Sequence, residues 1–115
     1  MVVDRWTAER TDQVFHALAD ATRRDIVVRT LGGDHSVSAL ARQYPMSFAA
    51  VQKHVAVLEE AGLVTKRRSG REQLVRCDVD TLRRAARLLD ALDDMWRDRA
   101  DRMSEILAEP DGGNP

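Results

Sequence analysis

"MSFAAVQKHVAVLEEAGLVTKRRSGREQLVRC", running from Met46 to Cys77, is the stretch that decides the fold. Its first half has a helical period. On a wheel centred at Val51, at ~100° per residue, Phe48, Val55, Leu58 and Gly62 gather on the side expected to face a core. Ala49, Lys53, Ala56 and Glu60 fall opposite, flanked by Ala50 and Gln52. Ser47 stands where a helix is capped, and Gly62 where a left-handed residue ends one. After Gly62 the apolar residues alternate, as along a strand. "LVTKR" and "EQLVRC" read as two strands, with "RSGR" as a turn centred on Gly70.

The same signals extend outward. Thr11 or Asp12 is placed to cap a first helix, "TDQVFHALAD", with Val14, Phe15 and Leu18 on one side. Asp20 opens a second, in which Ile26, Val27 and Leu31 fall at helical spacing before Gly32-Gly33 ends it. Ser36 or Ser38 opens a short third helix, "SVSALARQY", stopped by Pro45. Asp78 or Asp80 caps a long last helix reaching about Leu107. The expectation is a mainly α fold with a small β-hairpin, in the order α1-α2-α3-α4-β-β-α5. The short helix, turn and next helix form a helix-turn-helix, and the hairpin makes it winged. Residues 1–10 read as a polar lead-in, 11–108 as one domain and 109–115 as a disordered tail.

Composition narrows the function. Of the 115 residues, 43% are hydrophobic, so a single domain has a core but little interior to spare. The net charge of −1 is unlike the basic total of many nucleic-acid binders. The distribution tells more. Residues 63–77 carry Lys66, Arg67, Arg68, Arg71 and Arg76 against Glu72 alone, a net +4, whereas residues 87–109 carry four arginines against seven acids, a net −3. Cys77 is the one cysteine, so no intramolecular disulfide forms. "MVVDRWTAER" has charges where a signal peptide needs an apolar core, and no apolar run approaches the ~20 residues of a membrane span. The expected setting is the cytoplasm, with no membrane association.

Three motifs resemble the ArsR family of bacterial winged helix-turn-helix regulators, over about residues 11–107. "ALADATRRDIV" is similar to the opening of that family's second helix, "SFAAVQKHVAVLEEAGLV" to its recognition helix, and "KRRSGREQLVRC" to its wing. The resemblance implies a homodimer that binds an operator in double-stranded DNA, usually as a repressor relieved by an effector. Metal-sensing members often carry a Cys-x-Cys pair on the third helix. The matching stretch here is "SVSALA", with Ser36 and Ser38 near the thiolate positions, and the last helix has no histidine. The resemblance therefore points to the branch without metal sites, needing no cofactor, with any small-molecule effector unknown.

The residues themselves suit DNA. The small outward face of Ala49 and Ala50 lets a helix enter a major groove, and Gln52 and Lys53 have the chemistry to read base edges. Ser47, Phe48 and His54 complete the candidate DNA contacts of that helix, Ser47 at its cap, where free amides hold a phosphate, and His54 at the edge of its core face as a packing or phosphate-contacting residue. Lys66, Arg67, Arg68 and Arg71 flank a tight turn, as a phosphate or minor-groove probe would. An arginine-rich hairpin also suits a protected edge strand, and an alanine face suits ordinary helix propensity. Their succession in winged order is what points to DNA. The alternatives are a winged-helix module that binds protein instead, or a metal- or thiol-responsive repressor. Arg76 beside Cys77 would lower the thiol pKa somewhat, yet an inert thiol is the expectation. No Ser/His/Asp set, phosphate loop or carboxylate pair suggests an enzyme.

The last helix carries Leu82, Ala85, Leu89, Leu92, Trp96, Met103 and Ile106 on a 3-4 repeat, broken at Arg99 and widened by Leu88 and Met95. At ~28 residues it is about 40 Å long by its rise per residue, more than so small a body covers. The expectation is a dimer through this helix, with Phe15 and Leu18 of the first helix assisting.

Overall fold

A computed structural model describes residues 6–108. The elements are α1 (Ala8–Leu18), α2 (Ala21–Leu31), β1 (His35–Ser36), α3 (Val37–Ala41), α4 (Phe48–Glu60), β2 (Val64–Ser69), β3 (Glu72–Cys77) and α5 (Val79–Ala108). The architecture is mainly helical with a small antiparallel sheet, in winged helix-turn-helix order. No described helix is long and apolar enough to cross a membrane. The expected tail, 109–115, and the first half of the expected lead-in lie outside the described residues.

Local chemistry sets the helix ends. Asp20, Ser36 and Ser47 each accept a hydrogen bond from the amide three residues on, capping α2, α3 and α4. Asp78 does the same for α5 through the Thr81 amide. At the far end of α4, the Gly62 amide donates to the Glu59 carbonyl and the Leu63 amide to that of Leu58, both at 2.9 Å. Gly62 takes φ +79°, completing a Schellman motif whose apolar partners Leu58 and Leu63 are both fully buried.

Two boundaries differ from the sequence reading. Helix α1 is capped by Thr7, whose hydroxyl accepts from the Arg10 amide at 3.0 Å, so it begins before Thr11 and Asp12. The Thr11 hydroxyl instead donates back to the Thr7 carbonyl, inside the first turn. The wing is also more than a hairpin. His35 and Ser36 pair with Val75 and Leu74, giving three antiparallel strands in the order β1-β3-β2. In β2–β3, Ser69 faces Glu72, so the loop is only Gly70-Arg71, with Gly70 at φ +62°.

Two compact units divide the chain, one ending at Ala85 and the other beginning at Ala86. The first holds the core: Val14 and Ala17 of α1, Ile26 and Val27 of α2, Leu40 of α3, Val51, Val55 and Leu58 of α4, and Val64 and Val75 of the sheet. Leu31, at helical spacing with Ile26 and Val27, is half-exposed. Phe15, Leu18 and Leu82 pack against this core, and Ala85 is 3% exposed within it. Ala85 therefore offers a partner almost no surface. This corrects its place in the expected dimer stripe, because a 3-4 repeat marks an apolar face without saying whose core it joins. The second unit is the rest of α5. There Leu89, Leu92, Met95, Trp96, Met103, Ile106 and Leu107 are all exposed, Trp96 at 65%.

Polar contacts lock α2 to the turn before α4. The Tyr44 hydroxyl donates to Asp25 at 2.6 Å, and the Arg29 guanidinium donates to the same carboxylate oxygen at 2.7 Å. Burial, then the Asp25 carboxylate, pushes the Tyr44 phenol up to about 12. Replacing Tyr44→Phe is expected to cost about 1 kcal/mol, the usual worth of one hydrogen bond. Leu58→Ala, which opens a cavity, is expected to cost about 2–5 kcal/mol. Urea denaturation of both variants checks the order. Equal losses would mean that the core is not centred on α4.

Candidate nucleic-acid interface

Because Val51, Val55 and Leu58 are buried, α4 can only present its opposite side. Ala49, Gln52, Lys53 and Ala56 are exposed there, with Ala50 half-buried. Ser47 accepts from the Ala50 amide at 3.1 Å. The next two amides, of Phe48 and Ala49, find no partner among the described residues, as first-turn amides do unless a ligand takes them. Phe48, expected to face the core, is instead 46% exposed. The wheel gave its azimuth correctly, but as the first helical residue it stands at the end of the helix, beyond the layer that Val51 occupies.

His54 is engaged inside the chain. Its Nδ1 lies 3.1 Å from the Arg23 guanidinium and 3.9 Å from the Asp20 carboxylate. Arg23 also donates to the carbonyls of Ala17 and His16, at 2.8 and 3.2 Å, and Arg24 to that of Leu18 at 2.9 Å. The two arginines of α2 thus satisfy the open carbonyl end of α1, and Arg23 also holds His54. Of its two sequence readings, these contacts describe the packing one. Asp20 is held below its ordinary pKa, first by the Arg23 amide it caps.

The strand register sorts the wing cations by face. Lys66 pairs opposite Val75 and Arg68 opposite Gln73, so both share the sheet face of the buried Val64, Val75 and Cys77. Arg67 and Arg76 lie on the other face, where both donate to Asp34, at 2.6 and 3.0 Å. Lys66 reaches Glu59 of α4 at 3.5 Å, and Arg68 donates to the Gly70 carbonyl at 3.3 Å. Arg71 and Lys53 have no polar partner among the described residues. Arg67 and Lys66, both expected to bind DNA, are therefore tied first to carboxylates of the chain itself. A crevice of about 130 Å³ separates the start of α4 from the wing, bordered by Ser38, Phe48, Gln52, Lys66, Arg71 and Gln73.

Cys77 shares no face with Arg76. Burial first, and then the neighbouring Asp78 charge, push its thiol above the ordinary value, opposite to the lowering expected from Arg76. Among the described residues no group of three His, Cys, Asp or Glu side chains is placed to hold a metal ion. Sequence reasoning missed Arg23, Arg24, Asp34 and Tyr44. The only signal for the arginines was their position, one turn into a helix that follows another directly.

Comparison with known proteins fits this geometry. A family profile described as a helix-turn-helix domain matches residues 18–67. The HTH-type transcriptional regulator Rv2034 of Mycobacterium tuberculosis is 40% identical over 90 residues, covering 78% of this chain and 81% of that one. An ArsR-like transcriptional regulator from Rhodococcus sp. RHA1 superposes with a TM-score of 0.79 at 32% identity, over 90% of this chain and 94% of that one. The chain belongs to the ArsR family. This is a family of DNA-binding transcriptional regulators and not of enzymes. A third likeness is to the homodimeric winged helix-turn-helix DNA-binding domain Mb0332 of Mycobacterium bovis. It has a TM-score of 0.63 and 28% identity, over 82% of this chain and 90% of that one.

The Asp34 bridge gives a pH prediction. Arg67, and then Arg76, hold the Asp34 carboxyl below the ordinary carboxylate range. A group with a lowered folded pKa contributes fully above its unfolded value of about 3.9, and the contribution is lost as pH falls through the lower, folded value. The side-chain N–H signals of Arg67 and Arg76 are expected to stay constant down to about pH 4 and to move only below it. In Asp34→Asn that step should vanish. A step at higher pH, or one that survives in Asp34→Asn, would show that another group holds these two arginines.

Proposed function

We propose that this ArsR-family protein is a homodimeric repressor that binds an inverted-repeat operator without a metal. The observation that carries the reading is the outward face of α4, small at Ala49 and Ala56 and polar at Gln52 and Lys53, beside a basic hairpin. Gln52 reaches base edges in the major groove, and Ala49 and Ala50 allow close approach. Lys53, Arg68 and Arg71 hold phosphates, with the free amides of the first turn and Ser47 as a further phosphate contact. Lys66 and Arg67 serve chiefly to fix the wing, through Glu59 and Asp34. Metal independence is supported by Ser36, whose hydroxyl is used in capping α3, and by the chemistry of Ser38, neither of which replaces a thiolate.

The dimer reading rests on the apolar stripe of α5 from Leu89 to Ile106, exposed in the single chain. The homodimeric state of the Mycobacterium bovis domain supports it. At 30 residues α5 is about 45 Å long by its rise per residue. A two-fold dimer reads half-sites about one helical turn apart, ~34–36 Å. Such a dimer covers promoter DNA, which is how repression follows from binding, and its operator is to be sought first upstream of its own gene.

Fluorescence anisotropy against the DNA upstream of its gene tests this. Selective binding is expected, weakening steeply as salt rises, because each neutralised phosphate releases counterions. Lys53→Ala and Arg68→Ala should each flatten the salt slope by about one unit without lowering the melting temperature. Binding untouched by both changes would remove this face as the interface, and a salt-independent partner would mark a protein-binding module instead. In sedimentation, Trp96→Asp should shift the protein to monomer and weaken operator binding. A Trp96→Asp protein still dimeric at micromolar concentration would place the interface elsewhere.

A further inference from the structure

Phe48 is a large apolar side chain that the fold leaves open at the start of α4. The core of α4 is complete without it, since Val51, Val55 and Leu58 are fully buried and Phe48 is 46% exposed. On the inner side of its crevice stand the buried Val37 and Val55; on the outer rim stand Ser38, Gln52, Lys66, Arg71, Glu72 and Gln73. Lys66 is tied to Glu59, so whatever covers this ring must offer a small apolar group within a polar surface that carries some negative charge, given Arg71 and the unpartnered amides of the first turn. The major groove has one such group, the 5-methyl of thymine, set among base-edge donors and acceptors and rimmed by phosphates. Gln52 lies four residues along, on the same side of α4, about 6 Å away by helix geometry. That is between one and two base-pair steps of ~3.4 Å, and a Gln amide pairs bidentately with adenine.

We propose that Phe48 and Gln52 together determine operator specificity, Phe48 by covering a thymine 5-methyl and Gln52 by pairing with an adenine one or two base pairs away, in each half-site. This rests on the operator-binding reading above and deepens it.

The test uses the full chain. Preferred sites are selected from random duplex DNA, and each thymine of the best site is then replaced singly by deoxyuridine, which removes only the methyl. At one thymine per half-site the affinity of the unaltered protein should fall about fourfold, the worth of one buried methyl at ~0.8 kcal/mol. Phe48→Ala should bind the thymine and uracil duplexes equally, and Phe48→Leu should recover part of the difference. A fresh selection with Gln52→Ala should lose the adenine preference beside that thymine. Indifference of the unaltered protein to every uracil, a best site without thymine, or discrimination kept in Phe48→Ala would each overturn the proposal. Salt-sensitive, selective binding would in those cases leave the operator reading standing. Failure to select any sequence at low salt overturns both. Should Phe48→Ala not fold, the uracil scan with the unaltered protein and Phe48→Leu decides.

Discussion

Val51, Val55 and Leu58 lock one face of α4 into a core shared with all three preceding helices and the sheet, and the rest of the interface follows from that anchoring. Once those three point inward, Ala49, Gln52, Lys53 and Ala56 have only solvent to face. The lock is finished at both ends. Ser47 caps the start, and at the finish Gly62 and Leu63 close a Schellman motif to which Arg10 of α1 adds a 3.0 Å hydrogen bond on the Glu60 carbonyl. Leu63 then leads directly into β2, so the cap that ends the helix also sets the starting point of the wing. Helix and wing are positioned by one set of contacts.

Charge is arranged with the same economy. A net charge of −1 says little, because the wing cations are sorted by strand face before they meet any partner. Asp34 takes Arg67 and Arg76 on one face, and Glu59 takes Lys66 on the other. What remains for a ligand is Lys53, Arg71 and, at the turn, Arg68. The pairs are individually weak at such exposure. Their use is geometric, holding a two-residue turn at a fixed distance from α4.

The helices and the hairpin were legible in the sequence because short-range chemistry specifies them: a capping hydroxyl or carboxylate three residues before an amide, a glycine at positive φ, a change of period from 3.6 to 2. What was not legible depends on distance. Two residues, His35 and Ser36, show no alternation, and their partners lie far along the chain. Thr7 was passed over because a later threonine and aspartate offered the same chemistry. Arg67 and Arg68 are adjacent in sequence but belong to opposite faces, which only register decides. The stripe on α5 was plain as a stripe, yet nothing in its spacing separates Ala85, inside the chain's own core, from Leu89, outside it.

The pairing of β1 has a consequence for how the sheet assembles. His35 pairs with Val75, forty positions away, whereas β2 and β3 are joined by two residues. Closing a loop of that length costs about 3 kcal/mol by the logarithmic law, before any constant, and only two residue pairs repay it. The hairpin therefore forms as a local event, while β1 waits until α3 and α4 have packed and shortened the gap. In the finished protein β1 encloses the helix-turn-helix between itself and β3 like the last stitch of a seam. Of the three strands it carries the largest closure cost for the fewest pairs.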